Sequence, residues 1–186
     1  MNVTALPLAG AAIVDTSPHG DHRGHFARFF CARELGAVGI KTDIVQANHS
    51  LTTAKGAVRG MHFQRPPMSE VKMVRCIQGA VFDVLVDIRV GSPTYLQWHG
   101  EVLSAENMRL MIVPEGFAHG FQALESMSQV MYLVTQYYSP ECEGGLRHDD
   151  PQLGIEWPLS ITDVSAKDAA HPLIAEGFEG IHMEVS

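Results

Sequence analysis

The chain has 186 residues, with 13 Lys and Arg against 21 Asp and Glu, which gives a net charge of −8 with neutral His. Hydrophobic residues make up 46% of it and charged residues only 18%, which excludes a disordered chain and predicts a single domain over residues 1–186. An acidic chain with no basic run disfavours nucleic acid as a partner, and no apolar run approaches the roughly 20 residues of a membrane-spanning helix. Three widely spaced cysteines without a CxxC pair predict reduced thiols and a cytoplasmic protein.

Most of the chain shows the alternating pattern of β-strands. Apolar residues occupy every second position over residues 80–90, with Asp83 and Asp87 between them. The same period, bounded by Gly and Pro, predicts further strands over residues 25–30, 43–50, 71–77, 97–103, 109–113 and 129–138. Helical periodicity is short, at residues 31–38 and 165–170. Many short strands at regular spacing predict a mostly β protein of the jelly-roll type with a few short helices.

Two histidines lie in glycine-containing segments that resemble the paired motifs of the cupin barrels. GAVRGMH ends at His62, and PEGFAH ends at His119. In a metal-binding cupin the first motif continues His-x-His with a Glu following, whereas here Gln64 replaces the second histidine and Glu70 is the nearest acid. A transition metal needs three or four N, O or S ligands, so we predict acid–base chemistry without a metal. A metal-dependent cupin using these four residues is an alternative. The other histidines are expected to be ordinary core or surface residues: His19, His22, His25, His49, His99, His148, His171 and His182.

Polar and cationic residues accompany these motifs. Gln46 and Asn48 alternate, so a strand aims both at one face, which taken alone is the pattern of a solvent face. Arg23, Arg59 and Lys72 suit an anionic small molecule. The reason is that Arg binds phosphate in bidentate fashion and Lys supplies a point charge beside a developing oxyanion.

Three further residues have structural explanations in the sequence alone. SAKD at residues 165–168 matches a helix capping pattern, so capping is the favoured role of Asp168. Tyr132 and Tyr138 share one face of the strand predicted over residues 129–138. Packing within a sheet accounts for both tyrosines.

The ordered motifs closely resemble the dTDP-4-dehydrorhamnose 3,5-epimerase family of nucleotide-sugar epimerases. The resemblance runs from about Ile13 to Leu173 and rests on the segments DHRGHF (21–26), QANHS (46–50), VRGMHFQ (58–64), KMVR (72–75), GAVFDVLVDIR (79–89), SPT (92–94), LSAEN (103–107), IVPEGFAHGF (112–121), YYSP (137–140), GIEWP (154–158) and SAKD (165–168). It implies a double-stranded β-helix, the cupin-type jelly roll. It also implies a homodimer that exchanges strands of residues 1–30, and a helical tail over residues 160–186. The implied substrate is a nucleoside-diphosphate 4-keto-6-deoxy sugar, epimerised without a metal or an organic cofactor.

The resemblance also implies roles for residues at matching positions. His62 matches the general base and Asp168 its orienting partner, which replaces capping as the expected role of Asp168. Lys72 matches the group that stabilises the enolate, and Tyr132 the acid that returns a proton on the opposite face. The positions that match substrate contacts are Arg23, Phe26, Arg28, Gln46, Asn48, Arg59, His119, Tyr138 (stacking on the base), Glu143 and Lys167.

Arg28 is a departure from the family pattern, which typically has Phe-x-Glu where this chain has Phe26-Ala27-Arg28. A cation at this position leaves open both the exact sugar and the nucleotide, which is dTDP, CDP or another. The sequence also leaves open whether C3, C5 or both carbons are inverted. A non-catalytic nucleotide-sugar binder is the remaining alternative, and the intact acid–base set argues against it.

Overall fold

The computed structural model describes residues 1–183. Its elements are, in chain order, β1 (Asn2–Ala5), β2 (Ala12–Asp15), β3 (His19–Asp21), β4 (Gly24–Phe26), α1 (Ala32–Gly36), β5 (Gln46–Thr52), β6 (Val58–Gln64), β7 (Lys72–Gln78), β8 (Ala80–Asp87), β9 (Trp98–Ser104), β10 (Leu110–Val113), β11 (Phe117–Ala123), β12 (Ser128–Val134), β13 (Glu143–Gly145), α2 (Ala166–Ala169) and a 3-10 turn (Ile174–Glu176). In the part of the chain that the structure describes, no helix is long and apolar enough to cross a bilayer.

Two antiparallel sheets form the body of the protein. One has the strand order β1-β2-β10-β7-β12-β5, and the other has the order β13-β6-β11-β8-β9. Neighbours in each sheet are mostly distant in the chain, as in a jelly roll, where the chain passes repeatedly between two sheets. The mostly β jelly roll with a few short helices that the sequence predicts is confirmed.

Strand β8 is buried on both of its faces. Val81 and Leu85 face the core shared by the two sheets, while Val84 and Val86 pack under the C-terminal part of the chain. Burying an aliphatic side chain of this size contributes about 1.5–3 kcal/mol, so both layers hold β8 in place. The residues that cover its second face include Leu146, Leu153, Ile174 and Ile181.

Two strands that carry predicted site residues, β6 and β11, were not predicted as strands because glycines interrupt their periodicity. The glycines have a steric role. A Cβ on Gly60 would lie 2.6 Å from the Cα of Gly120, and a Cβ on Gly120 would lie 2.6 Å from the carbonyl oxygen of Arg59. The two backbones therefore approach more closely than side chains allow. In this pair His119 lies opposite His62.

The strand predicted over residues 129–138 is β12, and it ends at Val134. The hydroxyl of Thr135 accepts a hydrogen bond from the backbone N–H of Val71 at 2.9 Å, while the backbone N–H of Thr135 donates to the carbonyl of Val71 at 3.2 Å. A side-chain oxygen thus replaces one backbone acceptor where the strand ends. Tyr138 lies beyond the end of the strand. The prediction that Tyr132 and Tyr138 share a strand face is therefore wrong.

The C-terminal end of the chain also differs from expectation. Residues 160–183 contain only α2 and the 3-10 turn as helix, so the prediction of a helical tail is wrong for most of this segment. Single β-bridges join Val164 to Val58 and Ile181 to Arg89. Near the N-terminus, β1 and β2 lie at the edge of the six-stranded sheet, and exchange of residues 1–30 with a partner stays a prediction. The β3–β4 hairpin forms a separate two-stranded sheet and ends at Phe26, which is 69% exposed. The strand predicted over residues 25–30 thus shrinks to β4.

Asp87 is a fully buried carboxylate at the end of β8. It accepts hydrogen bonds from the backbone and guanidinium of Arg89 and from the hydroxyls of Ser92 and Thr94. Burial by itself would raise the pKa of Asp87, but these hydrogen bonds outweigh it and hold the pKa at about 2.

We expect Asp87→Asn to lower the free energy of unfolding at neutral pH by about 3 kcal/mol, since it breaks a buried ion pair. The folded-state pKa of about 2 lies below the ordinary 3.8. The stabilisation is therefore complete above about pH 4 and is lost as the pH falls toward 2. Urea unfolding of the wild type and the variant across this range measures the difference. A difference that does not shrink in acid would contradict the role of the ionised carboxylate.

Candidate active site

Two adjoining cavities share His62, Lys72 and Tyr132 in their walls. The larger, of about 420 Å³, is also lined by Arg59, His119, Lys167 and Asp168. The smaller, of about 250 Å³, adds Gln46, Asn48, Tyr138 and Glu143. The structure thus brings together all of the residues predicted as catalytic and most of those predicted to contact substrate.

His62 and Asp168 form a hydrogen-bonded pair. Nε2 of His62, on β6, donates to Oδ1 of Asp168, in α2, at 2.8 Å, and the backbone N–H of Gly60 donates to Oδ2 at 3.1 Å. Burial would raise the pKa of Asp168, but the hydrogen bonds from His62 and Gly60 outweigh it and lower the pKa to about 2. An ionised carboxylate only accepts, so it fixes the proton on Nε2 of His62 and leaves Nδ1 free to take another.

The capping pattern at residues 165–168 is also present. The hydroxyl of Ser165 accepts the backbone N–H of Asp168 at 3.0 Å, so Ser165 caps α2. The carboxylate of Asp168 does not return to the start of the helix, as it would in a capping box, but binds His62. Capping is therefore the role of Ser165, and the hydrogen bond to His62 is the role of Asp168.

Lys72 and Tyr132 stand on neighbouring strands, β7 and β12, of the six-stranded sheet. The ammonium of Lys72 donates to Glu70, and both side chains are largely buried. Nζ of Lys72 lies 5.8 Å from the ring centroid of Tyr132. Burial raises the pKa of Tyr132, the charge of Glu70 raises it further, and Arg59 opposes them. Tyr132 is therefore a neutral phenol that can donate a proton at neutral pH.

His119 is paired with an acid that was not predicted. Its Nε2 is hydrogen-bonded to Oδ1 of Asp83 at 2.9 Å, and Asp83 is completely buried in β8. Burial raises the pKa of Asp83, against the effect of His119. The signal for this pair in the sequence was Asp83 itself, an acid within a mostly apolar strand, because a buried acid requires a partner.

The four residues of the metal-cupin alternative do not form a ligand set. His62 binds Asp168, His119 binds Asp83, and Glu70 binds Lys72. The amide nitrogen of Gln64 donates to the carbonyl oxygens of Met68 and Tyr137, and its oxygen accepts the N–H of Ser139. Gln64 is bound to backbone groups and Glu70 to Lys72, so these two residues do not complete a cupin ligand set with His62 and His119.

Three predicted contact residues lie away from both cavities. Arg23 pairs with Asp21 at 2.6 Å on the β3–β4 hairpin, which also carries Phe26. Arg28 pairs with Glu34 at 2.8 Å. By contrast, Glu143 gathers two predicted residues beside the smaller cavity, because its Oε2 accepts from the hydroxyl of Tyr138 at 3.0 Å and from Nζ of Lys167 at 2.6 Å. These contact roles remain predictions.

The sequence model of the dTDP-4-dehydrorhamnose 3,5-epimerases matches residues 5–176. The chain belongs to this family. It is 46% identical over 173 residues to the dTDP-4-dehydrorhamnose 3,5-epimerase of Salmonella typhimurium, a match that covers 92% of this chain and 93% of the relative. The resemblance inferred from the motifs is confirmed, and with it the assignment to the isomerases.

Solved structures show the same similarity. The epimerase of Legionella pneumophila in complex with dTDP-4-keto-L-rhamnose has a TM-score of 0.93 at 39% identity, over 99% of both chains. ChmJ, a 3'-monoepimerase from Streptomyces bikiniensis in complex with dTDP-quinovose, has a TM-score of 0.86 at 32% identity. That match covers 91% of this chain and 86% of ChmJ. Enzymes named for two inversions and for one therefore share this fold.

We expect Glu70→Gln to lower the pKa of Tyr132, because the substitution removes a negative charge that disfavours the phenolate. Phenolate absorbance followed during a pH titration measures this, with Tyr132→Phe in each background identifying the signal. Glu141→Gln, at an exposed acid outside both cavities, is the matched control and should leave the titration unchanged. An unaltered pKa in Glu70→Gln would show that Glu70 does not act on Tyr132.

Proposed function

We propose that the protein epimerises a nucleoside-diphosphate 4-keto-6-deoxyhexose at C3, C5 or both, by proton removal next to the ketone and return on the opposite face. The observation that carries the proposal is that the base and the acid come from different sheets. His62 lies on β6 of the five-stranded sheet, and Tyr132 lies on β12 of the six-stranded sheet. Both line the same cavity, so a sugar ring bound between them meets one on each face.

Each step has a residue suited to it. Nδ1 of His62 takes the proton from the carbon next to the ketone, and Asp168 stabilises the imidazolium that forms. The electron pair moves to the ketone oxygen, where the ammonium of Lys72 stabilises the enolate. The neutral phenol of Tyr132 then donates its proton to the other face of the carbon, which inverts it. His62 then loses its extra proton to solvent, and Tyr132 regains a proton from solvent.

We propose dTDP as the nucleotide, supported by the names of the relatives and by the cations next to the cavities. Arg59 and Lys167 line the larger cavity, and Arg and Lys are the usual partners of phosphate oxygens. Tyr138 is 54% exposed beside the smaller cavity, which leaves its ring free to stack on a base. A CDP sugar inverted at only one carbon is the alternative, and the same assay distinguishes the two.

We further propose that the protein is a homodimer in which the β3–β4 hairpin serves the partner's cavity. Arg23, Phe26 and Arg28 match family contact positions, yet in their own chain they lie outside both cavities. A large exposed aromatic such as Phe26 is typical of a surface that another molecule covers. This proposal places the exchange in the hairpin, rather than across all of residues 1–30.

The first experiment follows proton exchange at the sugar by NMR in D₂O, with the dTDP and CDP forms of 4-keto-6-deoxyglucose. We expect deuterium at each inverted carbon, and faster turnover of the dTDP form. His62→Ala should lose both exchange and inversion by about 10²–10⁴-fold, the usual contribution of a general base. Tyr132→Phe should still exchange on the His62 face while losing inversion, because only the opposite proton donor is removed.

Glu141→Gln is the control for preparation and folding, and it should behave as the wild type. Turnover that survives in both His62→Ala and Tyr132→Phe would overturn the mechanism. Binding of the nucleotide sugar without any exchange would instead identify the non-catalytic binder.

Co-expression of two inactive variants tests the hairpin. We expect His62→Ala and Arg23→Ala, each impaired alone, to regain about a quarter of wild-type activity together. Random pairing makes half of the dimers mixed, and each mixed dimer has one intact site. No recovery, with mixed dimers demonstrated by differently tagged chains, would contradict exchange of the hairpin.

A further inference from the structure

Three potential metal ligands meet beside the proposed base. One ligand atom from each of His62, Asp168 and His171 lies within 4.8 Å of the other two. We call this group the His171 triad. Two imidazoles and a carboxylate are a ligand set that holds Zn²⁺ in proteins and leaves a fourth position open. The triad includes none of the other residues of the metal-cupin alternative.

His171 occupies space that a glycine leaves open. Gly145 on β13 pairs with His62 on β6, and the side chains of paired residues stand on the same face of a sheet. A Cβ on Gly145 would lie 2.1 Å from Nε2 of His171. The ring of His171 thus fills the side-chain position next to His62, with 6.2 Å between the two ring centroids.

The electrostatic state of the triad suits a cation. His171 is partly buried beside His62, and the neutral imidazole is the form that binds metals. Its Nε2 is buried and has no hydrogen-bond partner among the described residues. Asp168 supplies a negative charge, since its pKa is about 2.

We propose that the His171 triad binds a divalent transition metal ion such as Zn²⁺, and that the bound ion inhibits the enzyme. Ligands of a tetrahedral zinc lie about 3.3 Å apart, so the His62–Asp168 contact of 2.8 Å opens slightly while His171 moves inward. Metal binding requires a neutral imidazole with a free lone pair, so His62 changes tautomer: Nε2 loses its proton to solvent and Nδ1 gains one from solvent. His62 then donates a lone pair to the ion and is no longer held by Asp168 for proton transfer.

The experiment measures metal binding with and without turnover. Zn²⁺ is titrated into the full-length protein against a chromophoric chelator, and we expect one ion bound per chain. The exchange assay should lose activity over the same range of free Zn²⁺. Mg²⁺ prefers oxygen ligands and should do neither. Since chelator competition needs no substrate, it tests the triad even if the proposed reaction is wrong.

His171→Ala should weaken Zn²⁺ binding, and raise the inhibitory concentration relative to its own basal rate, by more than about 10-fold. Even the outer partners of metal ligands contribute 10–100-fold. His99→Ala is the matched control: His99 lies on β9, and its buried Nε2 makes no hydrogen bond within residues 1–183, with Glu101 3.7 Å away, so its loss should change nothing. His171→Gln repeats the test if the alanine variant does not fold. Wild-type affinity in these His171 variants, or equal inhibition by Mg²⁺, would overturn the proposal.

Discussion

The close approach of β6 and β11 is the constraint on which the site depends. A Cβ at Gly60 or at Gly120 would collide with backbone atoms of the opposite strand. These two paired strands carry His62 and His119. On its other side β6 pairs with β13, which brings Glu143 opposite Gln64. One wall of the cavities is thus fixed by backbone geometry. The other wall, with Lys72 and Tyr132, belongs to the opposite sheet. A substrate bound between the two walls therefore meets different chemical groups on its two faces.

A second feature of the site is that His62, Lys72 and His119 each pair with one acidic side chain. Asp168 serves His62, Glu70 serves Lys72, and Asp83 serves His119. A lone buried charge would shift its pKa and neutralise, so these pairings keep proton positions defined before substrate binds. They also explain how a chain with a net charge of −8 suits an anionic substrate. Three cations, Arg59, Lys72 and Lys167, line the larger cavity, and Glu70 and Glu143 pair with Lys72 and Lys167.

The sequence predicts the fold class well and the site partly, for identifiable reasons. Strands with an uninterrupted period of two, such as β8, were recognisable from local pattern, whereas β6 and β11 were hidden by the glycines that make them functional. Asp168 was ambiguous, because capping and binding of His62 both place an acid three residues after Ser165. Its contact with His62 spans 106 residues of sequence, and no local pattern encodes such a distance. Only the resemblance to a family supplied it.

The same limitation explains why His171 was assigned to the ordinary histidines. It follows α2 in a segment with no strand or helix period, and its neighbour His62 is more than a hundred residues away. That C-terminal segment is held by the bridge between Val164 and Val58 and by Thr162, whose hydroxyl donates to the carbonyl of Lys55.

Asp168, Lys167 and His171 therefore reach the site on one short stretch of chain. A local opening of this stretch would remove the partner of the proposed base, a cation of the larger cavity and the third ligand of the proposed metal site at once. Orientation of the base, the charge available to a phosphate and affinity for a metal are consequently coupled through a single segment. A change in how that segment packs would alter all three together, even where no cavity residue is touched.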